Sequence, residues 1–153
     1  MKSDIQGYKH GYLKSALSLK CPRCRTGYMF KTKSSYNLRH FMKMYEKCPL
    51  CSQQMEIEIG FYYGTSYVSY ALSIAISVAT FIAWWLLIGI SAHDNRVFWW
   101  MGINIVLLIL LQPYLMRLSR TLWLSIFASY NPDWRLENAE EPERIVAEEM
   151  NNW

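Results

Sequence analysis

One uncharged apolar stretch limits what this chain can fold into more than any other feature. Residues 67–90 read YVSYALSIAISVATFIAWWLLIGI and include no charged side chain. As a helix at about 1.5 Å per residue, the stretch is about 36 Å long and crosses the roughly 30 Å hydrocarbon core of a bilayer with room to tilt. A chain of 153 residues is too short to surround such a helix easily with a soluble core. The stretch therefore predicts a membrane-spanning helix.

A second apolar stretch follows a short polar break. Residues 91–96 read SAHDNR, and residues 97–116 are again long and apolar enough to span. Because the break is so short, we predict an antiparallel transmembrane hairpin over residues 61–116. Asn104 and Gln112 are the costly polar side chains of the second span, and polar groups inside a membrane usually face protein or water. We expect them to bond the first span or a partner.

Small hydroxyl side chains recur every three or four residues along the first span. Such residues let helices approach closely in lipid. The alternative is that each hydroxyl only bonds a carbonyl of its own helix, one turn earlier. We favour the packing interpretation. The side chains are Ser66, Ser69, Ser73, Ser77 and Thr80.

Charge is distributed unevenly along the chain. Residues 1–60 hold eleven Lys and Arg against four Asp and Glu, residues 61–116 hold one of each sign, and residues 117–153 hold four against seven. The three net charges of +7, 0 and −3 sum to +4. Positive charge near span ends marks the cytoplasmic side of a membrane. Since the turn between the spans holds only Arg96, offset by Asp94, both termini are predicted to be cytoplasmic.

Three segments flank the predicted hairpin and the cysteine region. Residues 1–20 form a basic arm, either loose or an interfacial helix. Residues 117–131 carry apolar side chains on one helical face and are too interrupted to span, which predicts an amphipathic helix lying at the membrane interface. Residues 132–153 form an acidic tail, which we expect to be solvated.

The four cysteines give the strongest chemical signal. Cys21, Cys24, Cys48 and Cys51 form the pattern C-x2-C-x23-C-x2-C. Two CPxC turns that face each other supply four thiolates in a tetrahedron, which suits Zn²⁺. Four thiolates leave no open coordination position, so we expect a structural zinc site that takes the place of a hydrophobic core. The first twenty residues lack the apolar core of a signal peptide, so we expect reduced, cytoplasmic thiols.

Residues 21–60 are predicted to form a small β zinc ribbon. Residues 26–30 and 55–61 follow the two cysteine pairs as strand-like segments, and the second alternates apolar and polar side chains. Between the pairs, residues 38–47 carry apolar side chains at helical spacing, which predicts a short amphipathic helix.

Other chemistries remain open for the cysteines. Tetrahedral sulfur also binds iron, and the CPxC pairs could be redox-active dithiols. Arg25 and Ser52 follow the second cysteine of each CPxC turn, a position where glycine is common in the metal-binding turns called zinc knuckles. This departure weakens the prediction that the two turns are zinc knuckles. His40 is a candidate substitute ligand, although a helix-surface position suits it better. Copper(I) is a further option, because thioethers are soft ligands and the same region holds Met29, Met42, Met44 and Met55.

The basic side chains of the cysteine region do not require a nucleic-acid partner. An anionic membrane surface beside the ribbon explains the same charges better, so no nucleic acid is expected. The sequence shows no nucleophile–base pair, no second acidic constellation and no phosphate-binding loop, and we predict no enzymatic activity. The basic residues are Lys31, Lys33, Arg39 and Lys43.

Five segments carry a resemblance to a known family. They are LKCPRC (19–24), GYMF (27–30), KMYEKCPLC (43–51), EIEIGFYYGTSYVSYALS (56–73) and RLSRTLWLSIFASYNP (117–132). Paired CPxC knuckles followed by GFYYG and a span are an unusual combination. In these segments the chain resembles the bacterial membrane proteins grouped as domain of unknown function 983. The resemblance implies a small protein of the bacterial inner membrane with a cytoplasmic zinc ribbon, and an association with cytochrome c oxidase assembly.

These observations predict a mainly α membrane protein: a two-helix hairpin with a small N-terminal β zinc ribbon and a C-terminal interfacial helix. Its expected partners are the lipid bilayer and another membrane protein or a second copy of the chain. The predicted function is a binding or assembly factor, or an accessory subunit, and the resemblance extends this to respiratory-complex biogenesis. The alternative is a thiol-redox or copper-delivery protein that uses the two CPxC pairs.

Overall fold

Two long helices dominate the structure. The computed structural model describes residues 11–37, 39–89, 95–137 and 139. A short helix, α1, covers Tyr12–Leu17, and a single 3-10 turn at Phe61–Gly64 leads into α2. The long helices are α2, Thr65–Ile88, and α3, Arg96–Phe127.

Both long helices are long and apolar enough to cross a membrane, judged by length and composition. The apolar window of each helix is left unburied by the rest of the protein. Contacts between them run in opposite chain order, since Phe81 stacks against Trp100 with ring centroids 5.0 Å apart, and Ser77 bonds Asn104. The two predicted apolar helices and their antiparallel pairing are therefore confirmed.

The second helix is longer than the sequence predicted. We expected a span ending at Met116 and a separate interfacial helix over residues 117–131, but α3 continues without a break to Phe127. Pro113 lies inside the helix, although it lacks the N–H that an interior position would donate. The face that contains Arg117 and Leu124 is buried against the cysteine region. These contacts within the chain stabilise the helix beyond its apolar segment.

The cysteine region contains no strand among its described residues. Three isolated antiparallel bridges join Lys20 to Tyr28, Phe30 to Met44, and Lys47 to Gln54. The expected ribbon strands at residues 26–30 and 55–61 are therefore absent from the described chain. In place of the expected helix, residues 39–42 form turns, and Met44 and Lys47 lie in isolated bridges.

The expected alternation of buried and exposed side chains fails in the second strand-like segment. Met55 and Glu56 are both buried although they are adjacent in sequence, and Ile59 is exposed. The Tyr62 hydroxyl donates to the carbonyl of Met55, and this contact with the start of the helical hairpin replaces a neighbouring strand. The segment therefore packs between the helices and the CPxC turns. Its side chains need not alternate between two faces there, as they would in a β-sheet.

The N-terminal arm is partly described. Residues 1–10 lie outside the described part of the chain, whereas α1 packs on α3. The Tyr12 hydroxyl shares a hydrogen bond of 2.9 Å with Ser125 Oγ, and the Tyr114 hydroxyl donates to the carbonyl of Leu17. The predicted acidic tail lies largely outside the described residues, which end at position 139.

The hydroxyl side chains of α2 bond carbonyls of their own helix and also contact α3, so both interpretations considered from the sequence apply. Ser73 donates to the carbonyl of Ser69, and Ser77 donates to that of Ser73, within the same helix. Ser77 Oγ also accepts a bond of 3.1 Å from Asn104 Nδ2, and Thr80 Oγ1 donates to Asn104 Oδ1 at 3.1 Å. Asn104 thus bonds the first span, as expected, with both ends of its amide.

Replacing Asn104 with leucine should weaken the pairing of α2 and α3. Both amide bonds to α2 are lost, and such bonds contribute about 1 kcal/mol in a membrane environment. The measurement is the free energy of unfolding of the purified protein in detergent, by titration with a denaturing detergent. Gln112→Leu is the matched control, because Gln112 makes no hydrogen bond within the described chain. An equal loss in both variants would contradict the assignment.

Candidate metal centre

The structure brings the four predicted cysteines together. Their sulfur atoms all lie within 4.8 Å of one another, and every one of the four side chains is buried. Cys21 Sγ lies 3.7 Å from Cys51 Sγ, and Cys24 Sγ lies 3.8 Å from Cys48 Sγ. These distances are far longer than the roughly 2 Å of a disulfide, so all four are free thiols.

The two CPxC turns have the same backbone structure. The Arg25 N–H donates to the carbonyl of Cys21 at 2.8 Å, and the Ser52 N–H donates to that of Cys48 at 2.9 Å. Arg25 and Ser52 both have a φ of 56°, in the left-handed region that favours glycine. The knuckles therefore form although neither position is glycine, which removes the reservation raised by the sequence.

Gly27 is a site residue that the sequence reasoning missed. Its carbonyl accepts from the Cys21 N–H at 2.8 Å, and its own N–H donates to Cys24 Sγ at 3.3 Å. A Cβ at this position would lie 2.5 Å from Cys48 Sγ. Only glycine lets the backbone pass this close to the sulfur cluster, and the sequence signal was the glycine three residues after the second cysteine of the pair.

The sulfurs shift one another's protonation. Hydrogen bonds among the thiols, led by that of Cys21, together with the Gly27 N–H, hold the pKa of Cys24 well below its usual range. Hydrogen bonds from Cys24, Cys48 and Cys51, together with burial, raise the pKa of Cys21. Without a metal the cluster therefore shares protons between thiol and thiolate sulfurs, and a bound cation would displace the remaining protons.

The spacing of the sulfurs fits a tetrahedral metal ion. A metal–sulfur bond of about 2.3 Å requires sulfurs about 3.8 Å apart at the corners of a tetrahedron. Two of the six sulfur–sulfur distances, at 3.7 and 3.8 Å, match this edge, and all four sulfurs lie within 4.8 Å of one another. His40 is not part of the cluster, so four thiolates form the donor set among the described residues. The arrangement can bind a metal ion and leaves no position for a substrate.

Arg23, between the first two cysteines, connects both knuckles to the C-terminal segment. Its Nη1 donates to the carbonyl of Cys51 at 3.1 Å, and its Nη2 donates to that of Glu137 at 2.9 Å. The carbonyl of Arg23 accepts from the Asn131 N–H. The side chain of Arg25 extends over the ring of Tyr130, 4.0 Å from its centroid. The segment after α3 is thereby held against the cysteine cluster.

Arg117 anchors the cysteine region to α3. The side chain is 1% exposed. Its Nε donates to the carbonyl of Phe41 at 2.6 Å and its Nη1 to that of Thr32 at 3.0 Å, while the guanidinium lies 4.7 Å from the centroid of the Phe30 ring. Carbonyl oxygens and an aromatic face compensate the buried charge. The sequence indicated only a cation at the end of a span.

Arg120 contacts the same region one turn later. Its guanidinium lies 4.8 Å from the centroid of the Tyr62 ring, and Nη1 lies 3.5 Å from Met44 Sδ. Glu56, also buried, attracts the same charge. The two arginines thus join the cysteine region and the 3-10 turn before α2 to the C-terminal half of α3.

No family model, curated protein or solved structure matches the chain. The resemblance to the domain of unknown function 983 family stays a prediction, and the arguments that follow rest on the site itself.

Gly27→Ala should lower the affinity of the cluster for metal. The added methyl group would meet Cys48 Sγ, so either the knuckle or the sulfur must move out of the tetrahedron. The measurement is competition for the bound metal with a chelator of known affinity, and we expect a loss of at least about tenfold, as for disturbed ligand orientation. Gly11→Ala is the control, since a Cβ there meets nothing within 4 Å. Unchanged affinity in Gly27→Ala would refute the packing argument.

Proposed function

We propose that the chain is a non-enzymatic membrane protein in which a closed zinc site builds a small docking domain at one end of a helical hairpin. The observation that carries this proposal is the buried cluster of four sulfurs within 4.8 Å of one another, in a region held against α3 by Arg117. Zn²⁺ is the usual ion for four thiolates in a structural site, and it has no redox chemistry of its own.

Membrane insertion is supported by the unburied apolar surface of α2 and α3. Side chains such as Leu86 and Leu87 are more than 75% exposed, and apolar areas of this extent on a protein surface mark an interaction with lipid or another protein. We place the cysteine region in the cytoplasm of a bacterium, at its inner membrane. Lysines and arginines concentrated around the cysteines, and thiols that need a reducing compartment, support this side.

A docking role is supported by the absence of an open coordination position at a metal held by all four cysteines. Four buried thiolates would saturate a tetrahedral ion, so a metal held there has no open position for a substrate. The outer surface of the region is rich in exposed lysines, together with exposed Tyr28 and Tyr36. Such a surface suits a protein partner, and the partner we propose is another membrane protein or a second copy.

The zinc and its role can be tested by metal analysis and alkylation. We expect about one zinc per chain, a colourless protein, and slow alkylation of the cysteines that becomes fast after a chelator removes the metal. Cys48→Ser should lose the metal while both helices stay inserted. Rapid alkylation of two or more cysteines in the zinc-loaded protein would favour the thiol-redox alternative. Tight copper(I) binding with little zinc would favour copper delivery.

The process served by the protein rests on the resemblance, which associates it with assembly of cytochrome c oxidase. Co-purification from native membranes in mild detergent should recover proteins of respiratory-complex assembly with the intact chain. The Cys48→Ser variant should lose them, because its docking domain is unfolded. Recovery of the same partners by both forms would show that the cysteine region does not dock them.

A further inference from the structure

A continuous groove runs along the contact between α2 and α3. It consists of two clefts of about 430 and 360 Å³ that share Tyr70 and Ser73 in their walls. The larger cleft lies beside the cysteine region, next to Met42 and Arg120. The smaller cleft extends along the helices towards Phe81 and Trp100.

The cleft beside the cysteine region carries more polar groups than the smaller cleft, and we call it the polar cleft, although most of its surface is apolar. The cleft beside the cysteine region is bordered by hydroxyl groups, by the amide of Gln112 and by the guanidinium of Arg120. The second cleft is bordered mainly by Ile74, Val78 and Phe81 of α2 and by Trp100 and Leu108 of α3. A groove that is apolar along most of its length and carries polar groups at one end matches an amphiphile with a small polar headgroup and a long apolar chain.

The length of the groove matches one leaflet of a bilayer. From Ser66 in the polar cleft to Phe81 in the apolar cleft is a helical rise of about 22 Å. Half of a bilayer of about 40–45 Å, headgroups included, is about the same length. Because the polar cleft lies at the end of the hairpin that carries the cysteine region, the groove has the orientation of a lipid in that leaflet.

Gln112 supplies hydrogen-bond donors in the polar cleft. The hydroxyls of Ser66, Ser73 and Ser119 already donate to carbonyls three or four positions earlier in the chain. Gln112 is exposed and makes no hydrogen bond within the described chain. Its amide therefore offers N–H groups to an anionic acceptor such as a phosphodiester, and the positive charge of Arg120 in the same lining attracts that acceptor.

We propose that this groove binds one glycerophospholipid of the leaflet on the side of the cysteine region. The phosphate lies against Gln112 and Arg120, and one acyl chain follows α2 past Val78. Arg120 is the one positively charged residue among the described residues that line the two clefts. Glu56 offsets part of its charge, so a modest preference for anionic over zwitterionic headgroups is expected. The inference rests on the proposed membrane insertion.

Two substitutions test the two ends of the groove. Val78→Trp fills the apolar cleft, and because Val78 is 50% exposed the added ring need not disturb the contact between helices. Ala79→Trp is the matched control, since Ala79 is exposed on the same helix and does not line the groove. Gln112→Leu removes a donor from the polar cleft.

The experiment is native mass spectrometry of the full-length protein released from nanodiscs of phosphatidylethanolamine and phosphatidylglycerol. We expect one retained phospholipid per chain in the parent protein and in Ala79→Trp. Val78→Trp should lose the contacts of one acyl chain, and Gln112→Leu should lose about one hydrogen bond to the headgroup. Either loss corresponds to roughly tenfold weaker retention of the phospholipid.

Equal retention in Val78→Trp and Ala79→Trp would overturn the proposal, as would retention of a different lipid class or occupation of the groove by a second protein chain. Carbonate extraction of membranes separates this failure from that of the membrane placement. A protein that resists extraction but retains no phospholipid refutes the groove alone, whereas an extracted protein refutes the placement as well.

Discussion

The convergence of four buried sulfurs is the constraint on which the cysteine region depends. Between α1 and the 3-10 turn at Phe61–Gly64, the described residues form three isolated bridges and no helix or strand. A segment with so little backbone pairing needs a cross-link to stay ordered, and a structural metal is a common one in small domains. The side chains buried around the sulfurs, including Met29 and Met55, pack around this centre and do not replace it.

The region is attached to the hairpin by fixed cations. Arg117 donates to the carbonyls of Thr32 and Phe41, which are nine positions apart in the chain. A single guanidinium therefore holds two separate points of the cysteine region. A lysine could not reproduce this fork, because its ammonium is a point charge without planar donors. Gly64 adds a close approach, since a Cβ there would lie 2.2 Å from the Trp123 ring. Together these contacts fix the knuckles relative to α3, which is continuous with the apolar hairpin.

Local patterns in the sequence predicted the parts of the fold that local patterns control. Uncharged length predicted the two long helices, and cysteine spacing predicted the cluster. The strand at residues 55–61 failed because alternation implies a sheet only where a neighbouring strand exists, and here Tyr62 and the knuckles surround the segment. Arg117 was interpreted as the end of a span because its partners lie 76 and 85 positions away, and no periodicity in the sequence reports such a contact.

Asn104 and Gln112 show how geometry separates two residues that look equivalent in sequence. They are eight positions apart on α3, which at 3.6 residues per turn rotates one by about 80° from the other. Asn104 therefore faces α2 and is satisfied by Ser77 and Thr80, whereas Gln112 faces the cleft. An amide without a partner is costly next to hydrocarbon. In the proposed membrane placement, the surface of the hairpin at Gln112 therefore requires a polar group from outside the described chain, and an apolar lipid tail or helix face alone would leave the amide unsatisfied.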